Sequence, residues 1–263
     1  MPIVFAAITP HSPLLVASVG KEAHTKTKIT GEALKTLEQE LYLSKPHTLI
    51  VISPHTGIHT DSFSVNAHNA FRMSLTLFGD MTTVIERKGS TDLCAKIQHA
   101  ATIANIPTQL ISEPETDHGV AVPTLLLTEH LPDIHILPVG YSNKTPKDHL
   151  QFGEMLKEVC MDSDKRIAVI ASGDFAHTLT TDSPGGFHAD GAKFDASMRE
   201  MLETKNTAGI LTMNENMVHN AKECGYRSTL IMLGMLRNMD YTFRTLAYES
   251  PFGVGFFTGQ CVF

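Results

Sequence analysis

The 263-residue chain is 42% hydrophobic, enough to bury the core of one large α/β domain, and it carries a formal charge of −7. It has no basic run, which argues against nucleic acid or an anionic membrane surface as a partner, and no apolar stretch near the ~18 residues of a membrane span. Its four cysteines (Cys94, Cys160, Cys224, Cys261) are scattered without a CxxC pair, which excludes a zinc finger or disulfide scaffold; with no signal-peptide pattern at the start, the expectation is a cytoplasmic protein.

In chain order, IVFAAI reads as a strand that gives way to TPHSP, where His11 stands between Pro10 and Pro13. Lys21 to Leu43 places Ile29, Ala33, Leu34, Leu37 and Leu41 at a spacing near 3.6, the mark of an amphipathic helix. HTLIVIS is a second buried strand, halted by Pro54 and followed by His55. Further strands are predicted at FSVNA, SLTLF, TQLI, IHILPV, RIAVIAS, TFRTLAY and GVGFFTG. Helices are predicted over Thr91–Asn105, Val120–Leu131, Pro146–Cys160, Ala189–Glu203, Asn214–Ala221 and Tyr226–Met239. This alternation, with no repeat or linker, predicts a single α/β domain over residues 1–263: a largely parallel, mixed central sheet flanked by helices on both faces. Ligands of such sheets gather beyond the carboxyl ends of the strands.

Fourteen histidines is the unusual count. His24, His47, His99, His130, His149 and His219 lie in polar helical or loop contexts and read as solvated. The informative ones follow strands. IVFAAI leads to His11, LIVIS to His55, and RIAVIAS to GDFAHT with Asp174 and His177. If these strands are parallel neighbours, the three histidines share one edge of the sheet, and the prolines and glycines beside them stiffen the turns that would hold a ligand. In ETDHGVAVP, Asp117 has the type and position of a helix N-cap, and His118 would ride the first turn, where the positive helix end favours a neutral imidazole. In ECGYRSTLIMLG, Glu223 and Cys224 stand at the mouth of an apolar helix. Two histidines and a carboxylate form the facial set suited to non-haem Fe(II), and His11, His55 and Glu223 would supply it; Cys224 is the competing, softer donor, better suited to zinc or copper(I). The residue types alone leave the choice between those neighbours open.

Six segments in this order and spacing, TPHSPLL with the VG after it, IVISPHT, DHGVAVP, IASGDFAHTL, ECGYRSTLIMLG and YESPFGVGF, resemble the catalytic (LigB-type) subunit family of class III extradiol ring-cleavage dioxygenases. Within it the chain is most similar to the dioxygenase-like domain of AmmeMemoRadiSam system proteins. The resemblance implies Fe(II) bound by His11, His55 and Glu223, with His177 as acid/base and His118 as a second substrate-facing histidine, acting on a catechol-like small aromatic substrate with O2. Asp117 and Asp174 are candidates for fixing the histidine tautomers. Cys224, Tyr226, Arg227, His188 and the loop Asp182–His188 are candidates for lining the site. Ser12 stands where relatives often have a second proline, and the sequence stops at Phe263 without the extra domain or small subunit that covers the site in relatives. The expectation is either a cover supplied by a homo-oligomer or by a separate capping domain or subunit, or a pocket that stays open. Two other readings use the same residues: a zinc-dependent hydrolase-like enzyme, and a Memo-like non-catalytic metal- or ligand-binding module with a cysteine near the position of Cys224.

Overall fold

Strands as apolar as IVFAAIT and TLIVIS must be covered on both faces. The computed structural model, which describes residues 2–57 and 59–263, sets them at the centre of an eight-stranded sheet. The strands are β1 (Ile3–Thr9), β2 (Thr48–Ser53), β3 (Phe63–Asn66), β4 (Ala70–Leu75), β5 (Asp80–Lys88), β6 (Thr108–Ile111), β7 (His135–Gly140), β8 (Ile167–Ser172), β9 (Thr242–Glu249) and β10 (Phe256–Val262). The helices are α1 (Ala17–Gly20), α2 (Lys28–Ser44), α3 (Thr91–Ile103), α4 (His118–Leu127), α5 (Pro146–Met161), α6 (Ala189–Glu203), α7 (Thr207–Leu211), α8 (Glu215–Ala221) and α9 (Tyr226–Met235). The sheet order is β6-β3-β7-β2-β8-β1-β10-β9, and β4 and β5 form a separate hairpin. The central strands β7, β2, β8 and β1 are parallel; β3 runs antiparallel to β7, and β10 and β9 close the other edge antiparallel.

The period of two along each strand sorts the core into two layers. Ala6, Ile8, Ile50, Ile52, Val169 and Ala171 pack beneath α3, α5, α6 and α9. Phe5, Ala7, Leu49, Val51, Ala168 and Ile170 pack on the other face, against Leu34, Leu37 and Leu41 of α2, the apolar α4, and Phe71, Met73 and Leu75 of the hairpin. Each fully covered Leu, Ile, Val or Phe contributes roughly 1.5–3 kcal/mol, so both layers are needed. Helices α5 and α9 touch through glycines: a Cβ on Gly153 would meet the Ile231 carbonyl oxygen at 2.0 Å, and one on Gly234 the Leu150 carbonyl oxygen at 2.2 Å.

The register is what makes a site. Thr9 pairs with Ser172, and Ile52 with Ala171, so β1, β8 and β2 end level and side by side. The expected neighbourhood of the three histidine-bearing turns is thus present.

Local departures from expectation have physical causes. The segment Lys21–Thr27 is a 3-10 turn, and the regular helix begins only at Lys28. SLTLF ends its strand at Leu75 and tightens into a 3-10 turn over Thr76–Phe78, after which Gly79, at φ +87°, reverses the chain into β5. Strand β5 was not among the predicted strands because DMTTVIERK is largely polar and exposed. The one-turn helix α7 was likewise not predicted, and α9 and α4 end at Met235 and Leu127, short of their predicted ends. Strand β10 starts at Phe256, because Phe252 and Gly253 both adopt left-handed φ angles, 60° and 71°. His149, expected on the surface, is fully buried, with its ring nitrogens 2.8 and 3.1 Å from the carbonyl oxygens of Thr145 and Ser142.

Candidate metal centre and substrate pocket

His11 leaves the sheet two residues after β1. Its backbone N–H donates to Asp174 Oδ1 at 3.1 Å, tying the loop after β1 to the loop after β8. Its ring Nδ1 lies 3.1 Å from Ser172 Oγ, and the Ser172 hydroxyl donates to the Gly119 carbonyl at 2.6 Å. With that proton committed, Ser172 Oγ accepts from Nδ1–H of His11, which assigns the tautomer and leaves the Nε2 lone pair free. Burial pushes the His11 pKa down to about 4 against the opposing pull of Asp174, so the ring is neutral at physiological pH.

His55 is positioned by the chain on either side of it. Asp117 accepts from Ser53 Oγ at 2.6 Å through Oδ1 and from Thr56 Oγ1 at 2.5 Å through Oδ2, so one carboxylate clamps both neighbours of the Pro54–His55 turn. The same Oδ1 accepts from Val120 N–H at 3.2 Å and caps α4, as the sequence led one to expect. Gly119 admits this approach, since a Cβ there would meet Ser53 Oγ at 2.3 Å. The clamp carries His118 on the first turn of α4 against His55, with ring centroids 4.2 Å apart. His11 lies 5.1 Å from each of the other two rings, and one ring nitrogen from each histidine falls within 4.8 Å of the others. Burial lowers the pKa of both His55 and His118, so all three rings favour the neutral, ligating form.

A second set overlaps the first. His11, Asp174 and Cys224 also bring one donor atom each within 4.8 Å of one another, with Cys224 Sγ 3.6 Å from His11 Nε2. Cys224 is held by backbone: its N–H and that of Gly225 donate to the Asp174 carbonyl at 3.2 and 3.0 Å, and Asp174 N–H donates to Sγ at 3.2 Å. Glycines permit the contact, because a Cβ on Gly173 would stand 2.3 Å from Gly225 Cα. Burial, reinforced by Asp174 and Glu223, raises the Cys224 pKa well above that of a free thiol.

His177 faces the cluster from the far side. Its Nδ1–H donates to the Lys222 carbonyl at 2.6 Å, which leaves Nε2 3.7 Å from Asp174 Oδ2. Burial works against a charge on this ring, yet Asp174 and the Lys222 carbonyl outweigh it and raise its pKa. For Asp174, burial works against ionisation, and His11 and His177 outweigh it and lower its pKa. The pocket has a volume of about 330 Å³ and sets the imidazoles, Asp174 and Cys224 against apolar walls that include Leu14, Pro184, Phe252 and Phe256.

Of the residues singled out from sequence, the structure brings His11, His55, His118, Asp174, His177 and Cys224 together. It does not bring Glu223. Of the expected set of His11, His55 and Glu223, the two histidines converge, while Glu223 Oε2 accepts from Tyr226 N–H at 2.6 Å at the start of α9, and the groups of converging donors found among the described residues do not include it. Burial drives its pKa up to about 7. Asp117 bonds no histidine ring and serves as the clamp. Tyr226 donates its hydroxyl to the Ile210 carbonyl at 2.7 Å, inside the core. Arg227 lines a neighbouring cavity with Glu223, and His188 caps α6 through Asp190 N–H. Sequence reasoning missed Ser53, Thr56, Ser172 and Phe78, the last with its ring 5.3 Å from His118. A serine closing β2 and β8 was a readable signal for the first and third; the partners of these hydroxyls were not readable.

The level carboxyl edge of this α/β sheet gathers four histidines, an aspartate and a cysteine, donor groups that could hold a metal ion. Residues 5–258 match the family described as the catalytic LigB subunit of aromatic ring-opening dioxygenase, and the chain belongs to that family. It is 27% identical to Protein CA_C1420 of Clostridium acetobutylicum over 95% of its own length and 55% of that protein, so it spans about half of this relative. It is 23% identical to a MEMO1 family protein of Methanococcus maripaludis over 77% of each chain. Among solved structures, an uncharacterized protein of Escherichia coli K12 shares the fold, with a TM-score of 0.68 and 16% identity over 98% of this chain and 99% of the other. No helix among the described residues is long and apolar enough to cross a membrane.

Proposed function

We propose that the chain is a metal-dependent oxygenase of the ring-opening type, acting with O2 on a small catechol-like aromatic substrate. The observation that carries this reading is the convergence of His11, His55 and His118 on one point, with His177 beside it in the same pocket. The donors suit a divalent transition ion: three neutral imidazoles, one of them with its Nε2 lone pair assigned, and a carboxylate kept ionised. His11 and His55 would hold the ion, with the third donor drawn from Glu223, after its side chain swings from Tyr226 N–H, or from His118, Asp174 or Cys224. Iron(II) is the preferred ion and zinc the alternative; when bound, iron supplies chelation of two substrate oxygens and electrons for O2.

The chain's own residues do the rest. His177, anchored through Nδ1, takes the proton of a substrate hydroxyl at Nε2, where Asp174 stabilises the resulting charge. His118 hydrogen-bonds a substrate oxygen. The walls formed by Leu14, Pro184, Phe252 and Phe256 seat the ring and keep water out.

Anaerobic loading with Fe(II), followed by oxygen uptake on a panel of catechols, tests this. We expect one iron per chain and oxygen consumption; His177→Ala should keep the iron and lose roughly 10²–10⁴ in rate. A second reading, a Memo-like binding module, is favoured by the nearness of Cys224 Sγ to His11 Nε2. Metal lost in Cys224→Ala, with no oxygen uptake by the wild-type protein, would select it. Tightly held zinc with hydrolytic turnover would select a hydrolase.

A further inference from the structure

The largest cavity near the cluster is not the one that contains it. Between the β7–α5 loop, α8 and the first turn of α9 lies a cavity of about 580 Å³, lined by Asn143, Lys144, Lys222, Glu223, Tyr226 and Arg227 among others. We propose that it is a second binding site, separate from the imidazoles, for a small organic carboxylate.

Charge is the first argument. In a chain of net charge −7, three permanent cations, Lys144, Lys222 and Arg227, face this one space against two carboxylates, Glu215 and Glu223. Lys222 Nζ is already engaged, donating to the Gly185 carbonyl at 3.0 Å. Arg227 is not. It is half-buried, its guanidinium lies 5.7 Å above the Tyr141 ring, and it makes no ion pair among the described residues. Lys144 is likewise half-buried and unpaired among them. Glu223 and Asp148 lie in the fields of Arg227 and Lys144 without pairing directly with them, so an anion docking against both cations makes charged hydrogen bonds that neither makes with a carboxylate of the chain.

The lining also selects the anion. Met213, Val218 and Tyr226 give the cavity an apolar portion, which calls for a hydrocarbon or aromatic body on the ligand. Three cations against Glu215 and against Glu223, whose burial disfavours its charged form, leave the walls net positive, which suits an organic carboxylate. The planar fork of Arg227 fits a carboxylate through paired hydrogen bonds. None of this depends on which metal, if any, the imidazoles bind.

Titration of the uniformly ¹⁵N-labelled intact chain with benzoate, and in parallel with neutral benzamide, tests the proposal. Benzoate should shift the amides of Asn143, Lys144 and Lys222 to Arg227 saturably, and benzamide should bind roughly tenfold more weakly or not at all, the loss of one charged hydrogen-bonded contact. Arg227→Gln and, in the loop away from the core, Lys144→Gln should each weaken benzoate about tenfold, with Arg227→Lys recovering part of the loss. Equal binding of benzamide, shifts confined to Ser12, Thr56 and Gly119 around the imidazoles, or affinity unchanged in Lys144→Gln would overturn it, as would no saturable shift below roughly 20 mM.

Discussion

Ser53 donates its hydroxyl proton to Asp117 at 2.6 Å, joining the end of β2 to the first turn of α4 across 64 residues of sequence. Together with the bond from Thr56 and the cap on Val120, this makes Asp117 the residue through which His55 and His118 share one position. Asp117→Ala should destabilise the fold by about 1–3 kcal/mol, from the lost cap and two stranded hydroxyls. It should also weaken metal binding roughly 10–100-fold. Urea unfolding and a metal titration read the two effects, and an unchanged metal affinity would show that the clamp does not position His55.

Ser172 fixes the His11 tautomer by giving its own proton to Gly119. In Ser172→Ala the ring loses that acceptor and the competing tautomer becomes available. Metal affinity should fall about 10–100-fold, with a stability loss on the order of 1 kcal/mol. The nitrogen shifts of the His11 ring, followed by NMR, should show mixed tautomers where the wild-type protein shows one.

Gly173 allows the loop after β8 to lie against Gly225. A methyl group in Gly173→Ala must push the two segments apart, at a cost of about 1–3 kcal/mol. The hydrogen bonds between Asp174 and the backbone of Cys224 and Gly225 would lengthen with them. Accessibility of Cys224 to a thiol reagent should rise well before global unfolding; a rate equal to that of the wild type would mean the segments separate without moving Cys224.

Asp195 lies beneath the loop that carries His177, accepting from Ala176 N–H at 2.8 Å and Tyr248 Oη–H at 2.7 Å. Burial raises its pKa to about 6, outweighing both hydrogen bonds, from 3.8 in the free side chain. Between those values the native state holds a proton that the unfolded chain releases. Stability from this group therefore falls as the pH rises through that window and stays low above it, by on the order of 3 kcal/mol. Asp195→Asn removes the titration, and denaturant unfolding between about pH 4 and about pH 7 should show the slope flattened.

Much of the sheet was written in the chain itself. Runs such as IVFAAIT, TLIVIS and IAVIAS are too apolar to lie anywhere but in the middle of a two-sided core, and the turns that end them carry His11, His55 and His177 by covalent necessity. Asp117 as a cap was legible for the same reason: the interaction reaches only three residues. The hairpin strand β5 was not, since a polar exposed ladder has no hydrophobic period to announce it. Nor was the choice at the mouth of α9. Glu223 and Cys224 are adjacent, and composition favours the carboxylate for iron, but the approach of Gly173 to Gly225 turns Cys224 toward His11 and leaves Glu223 to the start of the helix. Local sequence determines which donors stand at the edge of the sheet; long-range packing decides which of them face each other, because that depends on backbone contacts between segments some fifty residues apart.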